Sequence, residues 1–238
     1  MVLEASPTIP NPHGSSVDTS RMVRADYAKA AYADLAEQAQ KLWCETEWGS
    51  DGRYTECGLV LVADKNKDEY VRRSLENVQN LAKKNGKEHK IEVLHTRDDI
   101  QRVMGEGSRP IGDWGYVNWS SGWADAEDCV RYAESLVRRM GRVKFRTGQA
   151  IRLLKDRSGP KACIRGVELA DGEQLSAELV ILATGAWTAR LVDLRGRAES
   201  TGQCLAYVEL TEQEQEQLGK KPIWMNVVST PRTVTPLT

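Results

Sequence analysis

The chain has 238 residues, with 33 basic and 34 acidic side chains, a balance that gives neither nucleic acid nor an anionic membrane surface an electrostatic hold. It contains no apolar run of about 18 residues, which excludes a spanning helix, and its opening lacks the basic and apolar regions of a secretory signal. The five cysteines, Cys44, Cys57, Cys129, Cys163 and Cys204, show no CxxC spacing and most lie in or beside periodic segments, so buried free thiols in a reducing compartment are expected over disulfides or a metal site.

In chain order, Val2-Leu-Glu4 is apolar up to an acid and runs into a proline-rich loop, Ala5 to Gly14. In a dinucleotide-binding unit an acid ends the second strand and accepts from the ribose hydroxyls. Glu4 fits that position only if the chain begins inside the second strand, since no GxGxxG precedes it; otherwise it is a terminal surface acid. Gly14 to Arg24 carries small hydroxylated residues and two arginines, Arg21 and Arg24, three apart. Such a segment can offer N–H groups, hydroxyls and cations to an electron-rich heterocycle or a carboxylate, or simply form a polar loop and helix cap.

From Tyr27 the apolar positions Ala28, Ala31, Tyr32, Leu35, Ala39 and Leu42 keep a helical period to about Trp48. Tyr54 to Val62 reads as a strand, Lys67 to Asn85 as a helix stopped by Gly86, and Ile91 to Leu94 as a short strand. Thr96 with Asp99 predicts a near capping box for a helix through Met104. Residues 105–122 look like loop, and the aromatics Trp114, Tyr116, Trp119 and Trp123 either pack on a sheet or wall an apolar pocket.

Asp125 is placed to cap a helix over 126–140 that Gly141 ends, followed by a strand at Val143 to Arg146, as in a parallel crossover. The turn Thr147 to Ala150 either meets an adenine edge or is a plain turn. Ile151 to Lys155 and Cys163 to Leu169, joined by tight turns, predict a meander leading into Leu179 to Trp187. That apolar run reads as a strand buried on both faces of a parallel sheet, ending in Ala-Thr-Gly where such sheets bind ligand. Gly185, without a Cβ, would let the backbone approach a flat or phosphorylated group. Leu205 to Leu210 and Ile223 to Val228 read as further strands, with a short polar helix between them.

Taken together, Val2-Leu-Glu4, Gly14-Ser-Ser16 through Ser20-Arg-Met-Val-Arg24, Cys57-Gly-Leu-Val-Leu61, Gly122-Trp-Ala-Asp125 and Leu182-Ala-Thr-Gly-Ala-Trp187 resemble the D-amino-acid-oxidase-like flavoenzymes. Within them the resemblance is to the branch of sarcosine oxidase, saccharopine/pipecolate oxidase and fructosyl amino acid oxidase. It implies an α/β fold: an incomplete glutathione-reductase-like FAD-binding domain with a β-meander, from 1–56 and 123–200, and a mixed-sheet α+β substrate domain from 57–122 and 201–238.

The resemblance also implies roles. Glu4 would hold the adenosine ribose, Ala150 would lie at the adenine, and Ser16, Ser20, Arg21, Thr184, Gly185 and Trp187 would lie along the flavin of FAD. A cation such as Arg21 at the flavin edge favours its reduced, anionic form. Arg24 would pair with the substrate carboxylate. Fructosyl amino acid oxidases tend to carry lysine at the Arg21 position, which tilts the resemblance towards the sarcosine and saccharopine side. The implied reaction is oxidation of the secondary amine of an N-substituted amino acid, with O2 reduced to hydrogen peroxide. A monomeric cytoplasmic or peroxisomal enzyme is expected, with no nucleic-acid or membrane partner.

The family's Gly-rich first unit and its later flavin segments have no counterpart in the sequence, so the expectation is a truncated chain, inactive by itself. A quinone-reducing dehydrogenase and a non-catalytic remnant that binds a partner through a sheet edge are the alternatives.

Overall fold

A computed structural model describes residues 1–18, 21–105, 108, 109, 111–156, 158, 163–202 and 204–227. In chain order these form β1 (Val2–Glu4), β2 (Arg21–Val23), α1 (Ala30–Glu45), β3 (Tyr54–Glu56), β4 (Leu59–Ala63), α2 (Glu69–Asn85), β5 (Ile91–Leu94) and α3 (Arg97–Met104). There follow β6 (Trp114–Asn118), β7 (Gly122–Ala124), α4 (Ala126–Met140), β8 (Phe145–Thr147), β9 (Ala150–Asp156), β10 (Cys163–Leu169), β11 (Gln174–Ser176), α5 (Glu212–Leu218) and β12 (Ile223–Asn226). They divide into two units: Met1–Thr19 with Ala126–Val208, and Ser20–Asp125 with Glu209–Thr238. Residues 21–56, expected with the FAD-binding half, thus group with 57–125.

In the first unit β1 and β8 pair in parallel, with Glu4 opposite Thr147. Arg138 of α4 lies with its guanidinium 4.2 Å from the Phe145 ring centroid, holding the helix against β8. Strands β9, β10 and β11 form the expected antiparallel meander. The β9–β10 register shifts between Ile164 and Gly166, and on the other side a Cβ on Gly166 would stand 1.9 Å from the Leu175 carbonyl oxygen, so the close pairing with β11 requires glycine.

The apolar run Leu179 to Trp187 does not form the expected strand. Residues 179–184 pair with nothing among the described residues, Leu179 and Ile181 are 76% and 81% exposed, and a 3-10 turn, Gly185–Arg190, follows. Aliphatic composition supplies the propensity, but a central strand also needs neighbours to accept its backbone hydrogen bonds, and none stands there among the described residues. Leu205 to Leu210 is likewise exposed and not a strand. The cysteines also depart from the expected burial: Cys44, Cys163 and Cys204 are exposed and Cys57 and Cys129 half-buried, because lying in or beside a periodic segment does not by itself put a side chain on its inner face.

The second unit holds most of the buried core. A mixed sheet in the order β12-β4-β6-β5 pairs β12 with β4 in parallel and the rest antiparallel. Alternation along β4 sends Leu61 and Ala63 to one face, packed with Val71 and Val78 of α2, and Val60 and Val62 to the other, packed with Ile100 of α3. The period of α2 buries Val71, Ser74, Val78, Leu81 and Ala82, and Gly86 closes it at φ 67°. Both halves of the Thr96/Asp99 capping box form.

Three sequence expectations change in this unit. The strand expected over Tyr54 to Val62 breaks at Gly58, whose φ is 87° and whose Cβ would lie 2.7 Å from the Trp119 ring, so β3 and β4 join different sheets. The stretch expected as loop contains β6, a fully buried inner strand. Gly115 admits it, since a Cβ there would be 2.2 Å from the Leu61 carbonyl oxygen. Trp114 and Tyr116 pack on the α2 face and Trp119 on the α3 face, so these aromatics are core. Helix α1 begins later than expected, at Ala30, and buries only Ala33 and Gln40, leaving Tyr32, Leu35 and Leu42 exposed.

Candidate functional site

The described sequence-predicted residues are spread over both units. In the first, Glu4 ends β1 beside the end of β8. Its Oε1 accepts from the Ser6 amide at 3.0 Å and from Asn11 Nδ2 at 2.9 Å, which folds the proline-rich loop back over the strand end. Its backbone carbonyl accepts from the Gly148 amide at 2.9 Å, bringing the turn before Ala150 to the same place. Oε2 has no hydrogen bond among the described residues. The C-terminal ends of parallel strands are where open α/β sheets take ligands.

Ser16 sits in an exposed turn closed by the Val17 amide on the Gly14 carbonyl at 3.2 Å. Ser20 lies outside the described residues. Thr184 bonds Thr188 through their hydroxyls at 2.9 Å, and Trp187 is 43% exposed in the same turn. Gly185 takes φ 51°, with no atom within 4 Å of where a Cβ would point, so its conformation, not crowding, demands glycine. No hydrogen bond joins this turn to Glu4 among the described residues.

In the second unit β2 pairs with β7, with Arg21 opposite Ala124 and exposed. Arg24 follows the strand. Its Nη1 donates to the Asp26 carbonyl, both terminal nitrogens lie 3.4 Å from the Tyr70 hydroxyl, and its guanidinium carbon is 4.3 Å from the Tyr27 ring centroid.

Beside it lies a polar network absent from the sequence reading. Asp26 is wholly buried; its carboxyl accepts from Ser121 Oγ at 2.6 Å and from Asn118 Nδ2 at 3.2 and 3.3 Å. Gln40 Nε2 reaches the Ser120 carbonyl at 3.0 Å, and the Tyr116 hydroxyl meets Ser74 at 2.7 Å. Nothing in the hydropathy pattern marks an aspartate two residues past an arginine as core. Its only sequence signal is the apolar and aromatic setting, Val23 to Tyr27.

Burial raises the Asp26 carboxyl above the usual 3.8, while Ser121, Tyr116, Asn118 and Arg24 pull it back down. The folded state therefore holds this proton more tightly than the unfolded chain. The stabilisation from protonated Asp26 is complete below 3.8 and is lost as pH rises through the raised value, with a slope of at most about 1.4 kcal/mol per pH unit. Urea unfolding from pH 4 upward should show the native chain losing stability relative to Asp26→Asn, and parallel curves would contradict it.

The sequence model of the family described as FAD dependent oxidoreductase (DAO) matches residues 1–234. The chain belongs to this family. Among curated relatives of the family, it is 28% identical over 250 residues to the amino acid oxidase imqH of Aspergillus flavus, across 93% of this chain and 52% of that protein. It is 25% identical over 237 residues to the L-saccharopine oxidase of Schizosaccharomyces pombe, across 94% of this chain and 53% of that protein. A crystal structure of a thermally stable fructosyl peptide oxidase mutant superposes with a TM-score of 0.73 at 22% identity, covering 91% of this chain and 50% of that one. The chain spans about half the length of the relatives it matches, and the shared fold is α/β with mixed sheets.

The family is FAD-dependent, and the end of β1 around Glu4 fits part of that cofactor. A carboxylate with one oxygen tied to its own loop and the other without a donor among the described residues, at the end of parallel strands, suits a diol such as a ribose. No cluster of three or more metal-ligating side chains occurs among the described residues. No described helix is long and apolar enough to cross a membrane.

Proposed function

We propose that the chain is the ribose-binding and carboxylate-binding part of an FAD-dependent oxidase that acts on the secondary amine of an N-substituted amino acid. The observation that carries this reading is Arg24, a guanidinium anchored at one end by its own unit, in a family whose relatives are named for amino acids, saccharopine and fructosyl peptides. Saccharopine and a fructosyl amino acid share one chemical unit, a secondary amine next to a carbon that bears a carboxylate.

Glu4 would hold the ribose through Oε2, and Ala150 would lie at the adenine. Ser16, Ser20, Arg21, Thr184, Gly185 and Trp187 would line the flavin. Bound FAD supplies the acceptor that oxidises the carbon next to nitrogen. Arg24 would neutralise and orient the carboxylate, leaving the amine to face that acceptor. Oxygen is the final acceptor and hydrogen peroxide the product, in a monomeric cytoplasmic or peroxisomal enzyme. This chain alone is expected to release FAD on gel filtration and to produce no peroxide from amines.

Fluorescence titration with FAD tests the Glu4 assignment without turnover. A charge-assisted hydrogen bond contributes about 1.5–3 kcal/mol, so Glu4→Ala should raise the Kd for FAD by at least about tenfold. An unchanged Kd removes Glu4 from the site. Peroxide release by a full-length relative carrying these residues distinguishes an oxidase from a quinone-reducing dehydrogenase. The exposure of Leu179 and Ile181 favours a second reading, a non-catalytic chain that associates through this apolar stretch, and concentration-dependent self-association without flavin would support it.

A further inference from the structure

We propose that Asp26 is the positioning residue for Arg24, presenting one particular edge of its guanidinium to a carboxylate. The carboxylate part of this inference rests on the function proposed above. Asp26 works through its main chain. Asn118, the last residue of β6, and Ser121, in the turn before β7, grip its carboxyl, and this fixes the Asp26 peptide. The carbonyl of that peptide accepts from Arg24 Nη1 and, at 3.2 Å, from the Tyr70 hydroxyl.

The donors of Arg24 can then be accounted for one by one. Nη1 spends one N–H on the Asp26 carbonyl and one towards Tyr70, and Nη2 spends one towards Tyr70, so the Nη1–Nη2 end is closed. The Tyr27 ring covers one face, and Tyr27 is itself held by Asn77 Nδ2 on its carbonyl at 2.9 Å. What remains is the side-on edge, Nε–H with the second Nη2–H, which makes no hydrogen bond among the described residues. Two parallel donors in one plane match a carboxylate bidentately. A lysine in place of Arg24 would have no such second edge.

The test is NMR of the arginine Nε–H groups in the purified 15N-labelled chain, with the Arg24 signal identified by its loss in Arg24→Lys. The wild-type signal should carry an upfield shift from the Tyr27 ring and should move on titration with N-methylglycine. In Asp26→Ala the signal should return to the position of a free arginine, and the affinity for the probe should fall at least about tenfold. Asp26→Asn keeps the shape and the Ser121 bond without the charge, and should retain both properties.

If Asp26→Ala lowers the melting temperature but leaves the Arg24 signal in place, Asp26 is structural only and the proposal is overturned. If the signal collapses as expected yet the wild-type chain does not bind the probe, the positioning role stands and the carboxylate reading falls. Should Asp26→Ala fail to fold, Asn118→Ala, which removes one of the two carboxyl donors, must shift the Arg24 signal part of the way; no shift overturns the proposal.

Discussion

Arg24→Ala should raise the KM for carboxylate-bearing amines roughly 100-fold in a full-length relative that carries this segment. Two charge-assisted hydrogen bonds to a carboxylate contribute about 3 kcal/mol after allowance for partial exposure, and each 1.4 kcal/mol is a factor of ten. The effect should fall on KM more than on kcat, because the carboxylate is held equally in the ground state and in the transition state. Arg24→Lys should recover little of it, since an ammonium offers one point of charge where the guanidinium offers a planar pair. Steady-state kinetics with an N-methyl amino acid and with the matching amine that lacks the carboxylate separates the cases. An equal KM change for both substrates would remove the anchor.

Leu61→Ala should destabilise the chain by about 3 kcal/mol, within a 2–5 kcal/mol range for buried leucines. Leu61 is wholly buried in an inner strand, opposite Tyr116 on β6 and Met225 on β12, and packed against Val71 and Val78 of α2. Backbone pairing on both sides of β4 leaves little room for the sheet to collapse into the cavity. Against a typical total of about 5–15 kcal/mol this is a large fraction. Urea unfolding followed by tryptophan fluorescence should give a lower midpoint with an unchanged slope, and a loss under about 1 kcal/mol would show that the site refills.

Much of the second unit was legible because its signals are local. The period and closing glycine of α2 and the Thr96/Asp99 box of α3 each depend on residues within one or two turns, as does the helix over 126–140 in the first unit. The meander of the first unit was legible for the same reason, since tight turns set its pairing. The Arg21 to Arg24 segment was visible as a cluster of donors, but the closed end of Arg24 was not, because Tyr70 is 46 residues away in sequence. Asp26 was missed because its partners, Asn118 and Ser121, lie 92 and 95 residues further on.

The amino-acid order by itself determined the family, the β-meander and most of the helices, with the glycine that closes α2 and the capping box that opens α3. Only the tertiary structure decided which apolar runs became strands. Leu179 to Thr184 has stronger aliphatic character than Trp114 to Asn118, yet only the latter is a strand, because β4 and β5 pair on either side of it, β4 closing over Gly115. A strand exists by virtue of the hydrogen bonds its neighbours accept, and a buried aspartate by virtue of the donors that surround it. Both are supplied by residues far away in the chain, and folding alone brings them together.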